Sequence, residues 1–301
     1  MIQIIKERMG TFHRIIIGDS RWMPELADNS IQLCVTSPPY WNLKDYGNED
    51  QIGKSSKSYS EYLSSLFEVF RECTRVLGPD GKIAIDIMPI FLSGKQSKFE
   101  RRETRTVLSD LEHFFDSLGN MYFHSLYIWD KRKAVRFSSF GSYPYPTNVF
   151  STFPYEWIIV FGKKGKRPSV LKEIKEKSKL TQKEWADWCV NSIWEMQPAK
   201  AKLEGHPAPF PDELPRRIIK LYSYYGDTVL DPFLGTGTTT KVAKSLNRNS
   251  VGYEINRNYI QTIKKKIGYT ARQLLEEVSY DLQIRNGNDL SESEGLETTP
   301  S

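Results

Sequence analysis

The tetrapeptide Ser37-Pro38-Pro39-Tyr40 closes an apolar, β-branched run from Ile31 to Thr36. Two prolines rigidify the turn and remove two backbone donors, so the turn presents acceptors, the Ser37 hydroxyl and the Pro38 carbonyl among them. Acceptors are what an amino group needs. An exocyclic amine on a nucleobase is a poor nucleophile because its lone pair is delocalised into the ring. Hydrogen bonds that draw the nitrogen toward sp3 geometry aim that lone pair at an electrophile. The Tyr40 ring is suited to stack on a base turned out of a duplex. Alone, such a turn is more often structural, and its meaning depends on a second constellation.

That constellation lies near the other end of the chain. Thr228 to Leu230 reads as a strand feeding Asp231-Pro232-Phe233-Leu234-Gly235-Thr236-Gly237-Thr238, with a helix from Thr239 to Leu246. Glycines let the backbone approach a ligand closely, and a helix N-terminus offers free N–H groups to negative charge. A phosphate-binding loop would need Gly-Lys-Ser/Thr, but Gly237 is followed by Thr238 and Lys241 comes too late. A dinucleotide fingerprint would need a third glycine where Thr240 stands. Glu254 ends the following strand, roughly 20 residues beyond the turn, where an acid accepts from both ribose hydroxyls. A nucleoside cofactor without a pyrophosphate meets these conditions, and S-adenosylmethionine fits. Its carboxylate would meet the N–H groups near Gly235 to Thr238, and its sulfonium would lie near Asp231. Cys34 lies inside a strand with no Pro-Cys arrangement, which disfavours covalent attack on a pyrimidine ring. Direct transfer of a methyl group to an amine requires the two turns to fold side by side.

The elements that would position them follow from periodicity. Ile15 to Asp19 and Ile31 to Thr36 read as buried strands. Tyr62, Leu66, Val69, Phe70, Cys73 and Leu77 have helical spacing, and Gly78-Pro79-Asp80-Gly81 ends that helix before a strand at Lys82 to Met88. Strand, helix, strand favours a parallel sheet. A charged loop from Ser93 to Arg105 leads into a helix up to Leu118. Further strands are expected at Met121 to Trp129, Tyr155 to Phe161 and Ser250 to Glu254, and helices at Thr181 to Val190 and Pro211 to Ser223. Residues 162 to 200 shift toward Lys, Glu and Trp, as a small inserted subdomain would, and the tail from about Arg285 has the composition of a disordered segment.

A chain of 301 residues, 39% hydrophobic and 26% charged, has the makings of a packed fold. Three scattered cysteines, Cys34, Cys73 and Cys189, suggest neither a disulfide framework nor a zinc site, and an intracellular, cytoplasmic setting fits best. No apolar run approaches the roughly 20 residues of a membrane span. The net charge of +5 is a weak pointer to nucleic acid. Basic residues cluster at Lys131, Arg132, Lys133 and Arg136, at Lys163, Lys164, Lys166 and Arg167, and at Lys95, Lys98, Arg101, Arg102 and Arg105. Such runs are more often solvated faces unless DNA chemistry stands beside them.

Thr36-Ser37-Pro38-Pro39-Tyr40-Trp41 resembles the catalytic motif of the beta-class DNA amino-methyltransferases of restriction-modification systems, in its N4-cytosine form. Asp231 to Thr239 resembles that family's cofactor motif, and the order, catalytic motif first, is that of the beta class. Gly18-Asp19-Ser20 is similar to the acidic motif that contacts the cofactor's adenine amine, and Glu254 to the ribose-binding acid. His206-Pro207-Ala208-Pro209-Phe210-Pro211 is similar to the segment that closes over the methionine end. The resemblance covers most of the chain. It implies an α/β, Rossmann-like methyltransferase fold with a seven-stranded, mostly parallel sheet, one antiparallel strand, circular permutation and a small target-recognition insertion. The catalytic domain would comprise 1–161 and 201–284, the recognition region 130–200, and the tail 285–301.

The resemblance implies S-adenosylmethionine as cofactor, no metal, and double-stranded DNA as partner. It leaves open a cognate restriction endonuclease and a monomer or homodimer. Ser37, Pro38, Pro39 and Tyr40 would be catalytic. Asp19, Asp231, Pro232, Phe233, Gly235, Thr236, Gly237, Thr238 and Glu254 would hold the cofactor, and Lys131, Arg132, Lys133 and Arg136 would meet phosphates. Trp129, Trp185, Trp188 and Trp194 fit either recognition or core. The family's adenine members more often carry Asp where this chain has Ser37, which tilts the target to cytosine N4. N6-adenine methylation, methylation of RNA or protein, and a catalytically silent DNA-binding protein are the competing readings.

Overall fold

The structure is a computed structural model describing residues 10–41, 47–54, 56, 58–133, 140–142, 144–151, 153–199, 210–269, 278–286 and 289–293. The apolar runs become strands of one sheet. In chain order they are β1 (Thr11–Ile17), β2 (Ile31–Thr36), β3 (Leu77–Ile87), the hairpin β4 (Ile90–Leu92) and β5 (Glu103–Arg105), and β6 (Met121–Asp130). A second hairpin, β7 (Phe140–Gly141) and β8 (Val149–Phe150), precedes β9 (Tyr155–Lys163) and β10 (Ile193–Glu195). The last are β11 (Thr228–Asp231), β12 (Asn249–Glu254), β13 (Val278–Asn286) and β14 (Asp289–Ser293).

Seven strands in the order β6-β9-β3-β2-β11-β12-β1 form the expected mostly parallel sheet, with β9 running antiparallel to both β3 and β6. Three strands not foreseen extend it: β10 beside β6, and β13 and β14 beyond β1. Helix α1 (Tyr59–Val76), capped by the Ser58 hydroxyl accepting from the Glu61 N–H, buries Tyr62, Leu66, Val69, Phe70 and Cys73. At about 1.5–3 kcal/mol per buried large side chain, that stripe fixes the helix on the sheet. With α2 (Val107–Ser117) it packs on one face against Ile16, Cys34, Ile83 and Ile85. The helices Glu213–Tyr222 and Thr238–Ser245 cover the other face through Leu214, Ile218, Val242 and Ala243, against Leu33, Val35 and Val229.

Two boundaries differ from the sequence reading. Trp188, Trp194 and Met196 join the core with Tyr127 and Ile218, and β10, inside the segment expected as an insertion, pairs with β6 in the main sheet. Trp129 is buried with them, while Trp185 is 60% exposed. The expected loss of structure from Arg285 does not occur there. The Arg285 guanidinium pairs with Glu25 and donates to the Asp19 and Trp22 carbonyls, and β14 pairs antiparallel with β13. Backbone pairing and one anchored arginine hold this edge where apolar content is low. Residues 294–301 lie outside the described part.

Candidate active site

β2 and β11 lie side by side and parallel, Leu33 opposite Val229 and Cys34 opposite Leu230. From β2 the chain leaves through α1 on one face; from β11 it leaves through Thr238–Ser245 on the other. Their carboxyl ends therefore part, and a crevice opens where the winding reverses. The crevice is an open cleft lined by Gly18, Asp19, Ser37, Pro39, Gln51, Ile52, Pro232, Phe233, Gly235, Glu254, Ile255 and Tyr259, among others. The serine-proline turn and the glycine turn thus face one space.

Asp231 joins the two turns from behind. It is 1% exposed and does not line the cleft. Oδ1 accepts from the Thr36 hydroxyl at 2.7 Å and the Phe233 N–H at 3.1 Å, and Oδ2 accepts from the Thr239 hydroxyl at 2.6 Å. Burial pushes its carboxyl up to about 6 against those bonds. The sequence reading set Asp231 beside a sulfonium; in the structure its carboxylate faces Thr36, Thr239 and the Phe233 N–H and ties the ends of β2 and β11 together from behind the cleft.

Gly237 caps the helix in the left-handed region at φ 90°, and a Cβ there would press on Ile267 at 3.3 Å. Gly237, Thr236 and Thr238 sit behind the lining, the two threonine hydroxyls accepting from Lys266 Nζ at 2.9 and 2.7 Å. Gly235 N–H donates to Glu254 Oε2 at 2.8 Å and Asn256 N–H to Oε1 at 2.8 Å. Burial raises the Glu254 carboxyl to about 7. Asp19 lines the cleft with its carboxylate held by the Arg21 side chain and N–H.

Around the tetrapeptide, the Pro39 carbonyl is taken by the Tyr62 hydroxyl at 2.9 Å and the Trp41 N–H at 3.1 Å. The Pro38 carbonyl carries no hydrogen bond among the described residues. Tyr40 is buried at 6% exposure, so its ring does not line the cleft as a stacking platform; the tight turn folds it inward. Its hydroxyl lies 2.9 Å from Ser37 Oγ and donates to Glu156 Oε2 at 3.3 Å. Glu156 is ion-paired with Lys131.

The profile of the N6/N4 DNA methylases matches residues 31–265. The chain belongs to that DNA methylase family. The type II methyltransferase M.MjaI of Methanocaldococcus jannaschii is 34% identical, over 88% of this chain and 94% of that one. A DNA modification methylase of Thermus thermophilus, described as putative and solved with S-adenosyl-L-methionine, superposes with a TM-score of 0.67 at 27% identity, covering 91% of this chain and all of the other. The PvuII DNA methyltransferase, described as cytosine-N4-specific, shares the fold at a TM-score of 0.59 and 19% identity, over 90% and 92% of the two chains.

This DNA methylase uses S-adenosylmethionine. Its cleft suits the group: one buried acid at the floor, a glycine turn beside it, and apolar walls from Ile52, Phe233, Ile255 and Tyr259. Other expected site residues are dispersed. Lys131 turns inward to Glu156, Arg132 pairs with Asp130 and Lys133 with Glu195. Arg136 and residues 206–209 lie outside the described residues. Gln51, Ile255, Tyr259 and Glu156 were not foreseen; Ile255 alone had a signal, its adjacency to Glu254.

Proposed function

We propose that this methylase transfers a methyl group to N4 of cytosine in duplex DNA, with the target base turned out of the helix into the cleft. S-adenosylmethionine supplies the methyl group. The observation that carries the reading is Ser37, which lines the same cleft as Gly235 and Glu254. Ser37 Oγ accepts one N–H of the target amine and the Pro38 carbonyl accepts the other, since the Pro39 carbonyl is already engaged. Glu254 accepts the ribose hydroxyls and the helix start after Gly235 meets the cofactor's carboxylate. The serine form of the tetrapeptide favours cytosine over adenine, and the type II relatives favour a cognate restriction endonuclease as its counterpart.

The DNA-facing surface is assigned to the two hairpins. β4–β5 follows the carboxyl end of β3 and β7–β8 follows that of β6, the sheet edge that carries Ser37. Together they line an open depression with Arg101, Arg102, Asn148 and Phe150, where the Arg102 guanidinium lies 5.4 Å from the Phe150 ring centre. Cations there position phosphates, and amide side chains read base edges.

Incubation of the protein with labelled S-adenosylmethionine and mixed-sequence duplex, followed by separation of nucleosides, tests the reading. Label is expected in N4-methylcytosine; label confined to N6-methyladenine overturns the choice of base.

A further inference from the structure

An amine acceptor is useful only if its own proton points elsewhere. Ser37 Oγ carries one hydrogen and two lone pairs, and free rotation would let that hydrogen point into the cleft, where it would repel the amine's N–H groups. The contacts behind the serine determine its direction. Glu156 is a carboxylate paired with Lys131 and can only accept, so the Tyr40 hydroxyl donates to it at 3.3 Å. With its proton committed, the Tyr40 oxygen can only accept along the 2.9 Å contact with Ser37, so Ser37 donates to Tyr40. The serine's lone pairs are then left for the cleft that Ser37 lines.

A second acid stands beside the first. Asp86 on β3 is 2% exposed, and its Oδ1 meets no donor among the described residues. Burial, and then the Glu156 charge, push its carboxyl well up. Lys131, 14% exposed, supplies the cation that pairs with Glu156. A buried group of two acids and a lysine, reaching from β3 beside the catalytic strand across β9 to the end of β6, is costly to assemble unless its geometry is used.

We infer that Glu156 is a positioning residue that acts through Tyr40 to lock Ser37 as a pure hydrogen-bond acceptor for the target amine. The inference rests on the amino-methyltransferase reading above and adds to it the residue that sets the serine's polarity. No proton need travel along the chain of hydroxyls; the direction of each donor is enough.

Four proteins test it: wild type, Glu156→Gln, Tyr40→Phe and the double variant, each measured for kcat on duplex DNA, for cofactor Kd by calorimetry, and for Tm. In Glu156→Gln the amide oxygen stays with Lys131 and the NH2 faces the Tyr40 hydroxyl, which reverses the direction of the contact, and Tyr40→Phe removes the contact, so kcat falls about tenfold in either single variant. Cofactor Kd stays within twofold. Since both substitutions break one chain, the double variant is no slower than the slower single. Multiplication of the two effects to about a hundredfold, or an unchanged kcat in Glu156→Gln, overturns the inference. Should Glu156→Gln lower Tm strongly by leaving Lys131 unpaired, the charge-neutral pair Lys131→Met with Glu156→Leu, which offers Tyr40 no acceptor, is put through the same cycle with the same two outcomes. A wild-type protein that methylates no duplex sinks the functional reading and this inference together, whereas an active wild type with an equally active Glu156→Gln sinks this inference alone.

Discussion

Replacing Asp231 by asparagine separates a brace from a cofactor ligand. Burial lifts this carboxyl from the ordinary value near 4 to about 6, a difference of ~3 kcal/mol between its two protonation states. An acid raised in the folded state stabilises through its protonated form; that stabilisation is complete below about pH 4 and is lost as pH rises through about 6. Asparagine does not titrate. Its Oδ1 keeps the bonds from Thr36 and the Phe233 N–H, while its amide nitrogen faces Thr239, whose hydroxyl can turn to accept. Chemical denaturation of both proteins at pH 4.5 and pH 7.5 should therefore show wild type losing about 2 kcal/mol relative to Asp231→Asn across the interval. Glu254 titrates in both, and the part of its shift that the Asp231 charge causes is present in wild type alone and adds to the wild-type loss. Asp231→Ala behaves differently, because it strands three buried donors at ~1–3 kcal/mol each and lowers stability at every pH. Parallel stability curves for wild type and Asp231→Asn, accompanied by a tenfold loss of cofactor affinity, would refute the brace and return Asp231 to the cofactor.

Two further outcomes follow from the same geometry. Ribose hydroxyls donate to the ionised form of Glu254, which burial holds near 7, so cofactor affinity rises and a proton is released as pH goes from 6 to 8; Glu254→Gln binds about tenfold more weakly with a flat profile, and calorimetry in buffers of different ionisation enthalpy reads both. A pH-independent Kd in wild type would remove that role. Arg101→Ala and Arg102→Ala each weaken duplex binding across all sequences and reduce the slope of log K against log salt by about one; an unchanged slope moves the DNA face elsewhere.

The two motifs were legible because each has a composition that few other structures require: paired prolines after a β-branched strand, and a glycine turn with an acid one strand later. Their juxtaposition was a forecast that the β2–β11 pairing meets. Roles that depend on burial were not legible. Asp231 looks like any acid at a strand end until the Thr36 and Thr239 hydroxyls are seen to close on it. Lys131 reads as one of a basic run, since Glu156, its partner, comes 25 residues later, across the β6–β9 pairing. Asp86 did carry a signal: an acid inside the apolar run Ile83 to Ile87 is either wrongly placed or held by a partner. β10 and β14 were not legible because short edge strands draw on backbone ladders rather than on apolar alternation, whereas β13 does alternate at Val278, Tyr280, Leu282 and Ile284.

Thr36 and Asp231 touch across 195 residues of chain. At synthesis rates of roughly 5–20 residues per second, many seconds separate the emergence of the serine turn from that of the strand that must lie beside it. During that time β2 has an open flank that only the distal third of the polypeptide can fill. A ribosome-bound or truncated product lacking the segment through Glu254 has the acceptor for the amine and nothing to deliver a methyl to it. Chains that stop before Glu254 therefore carry only one side of the cleft.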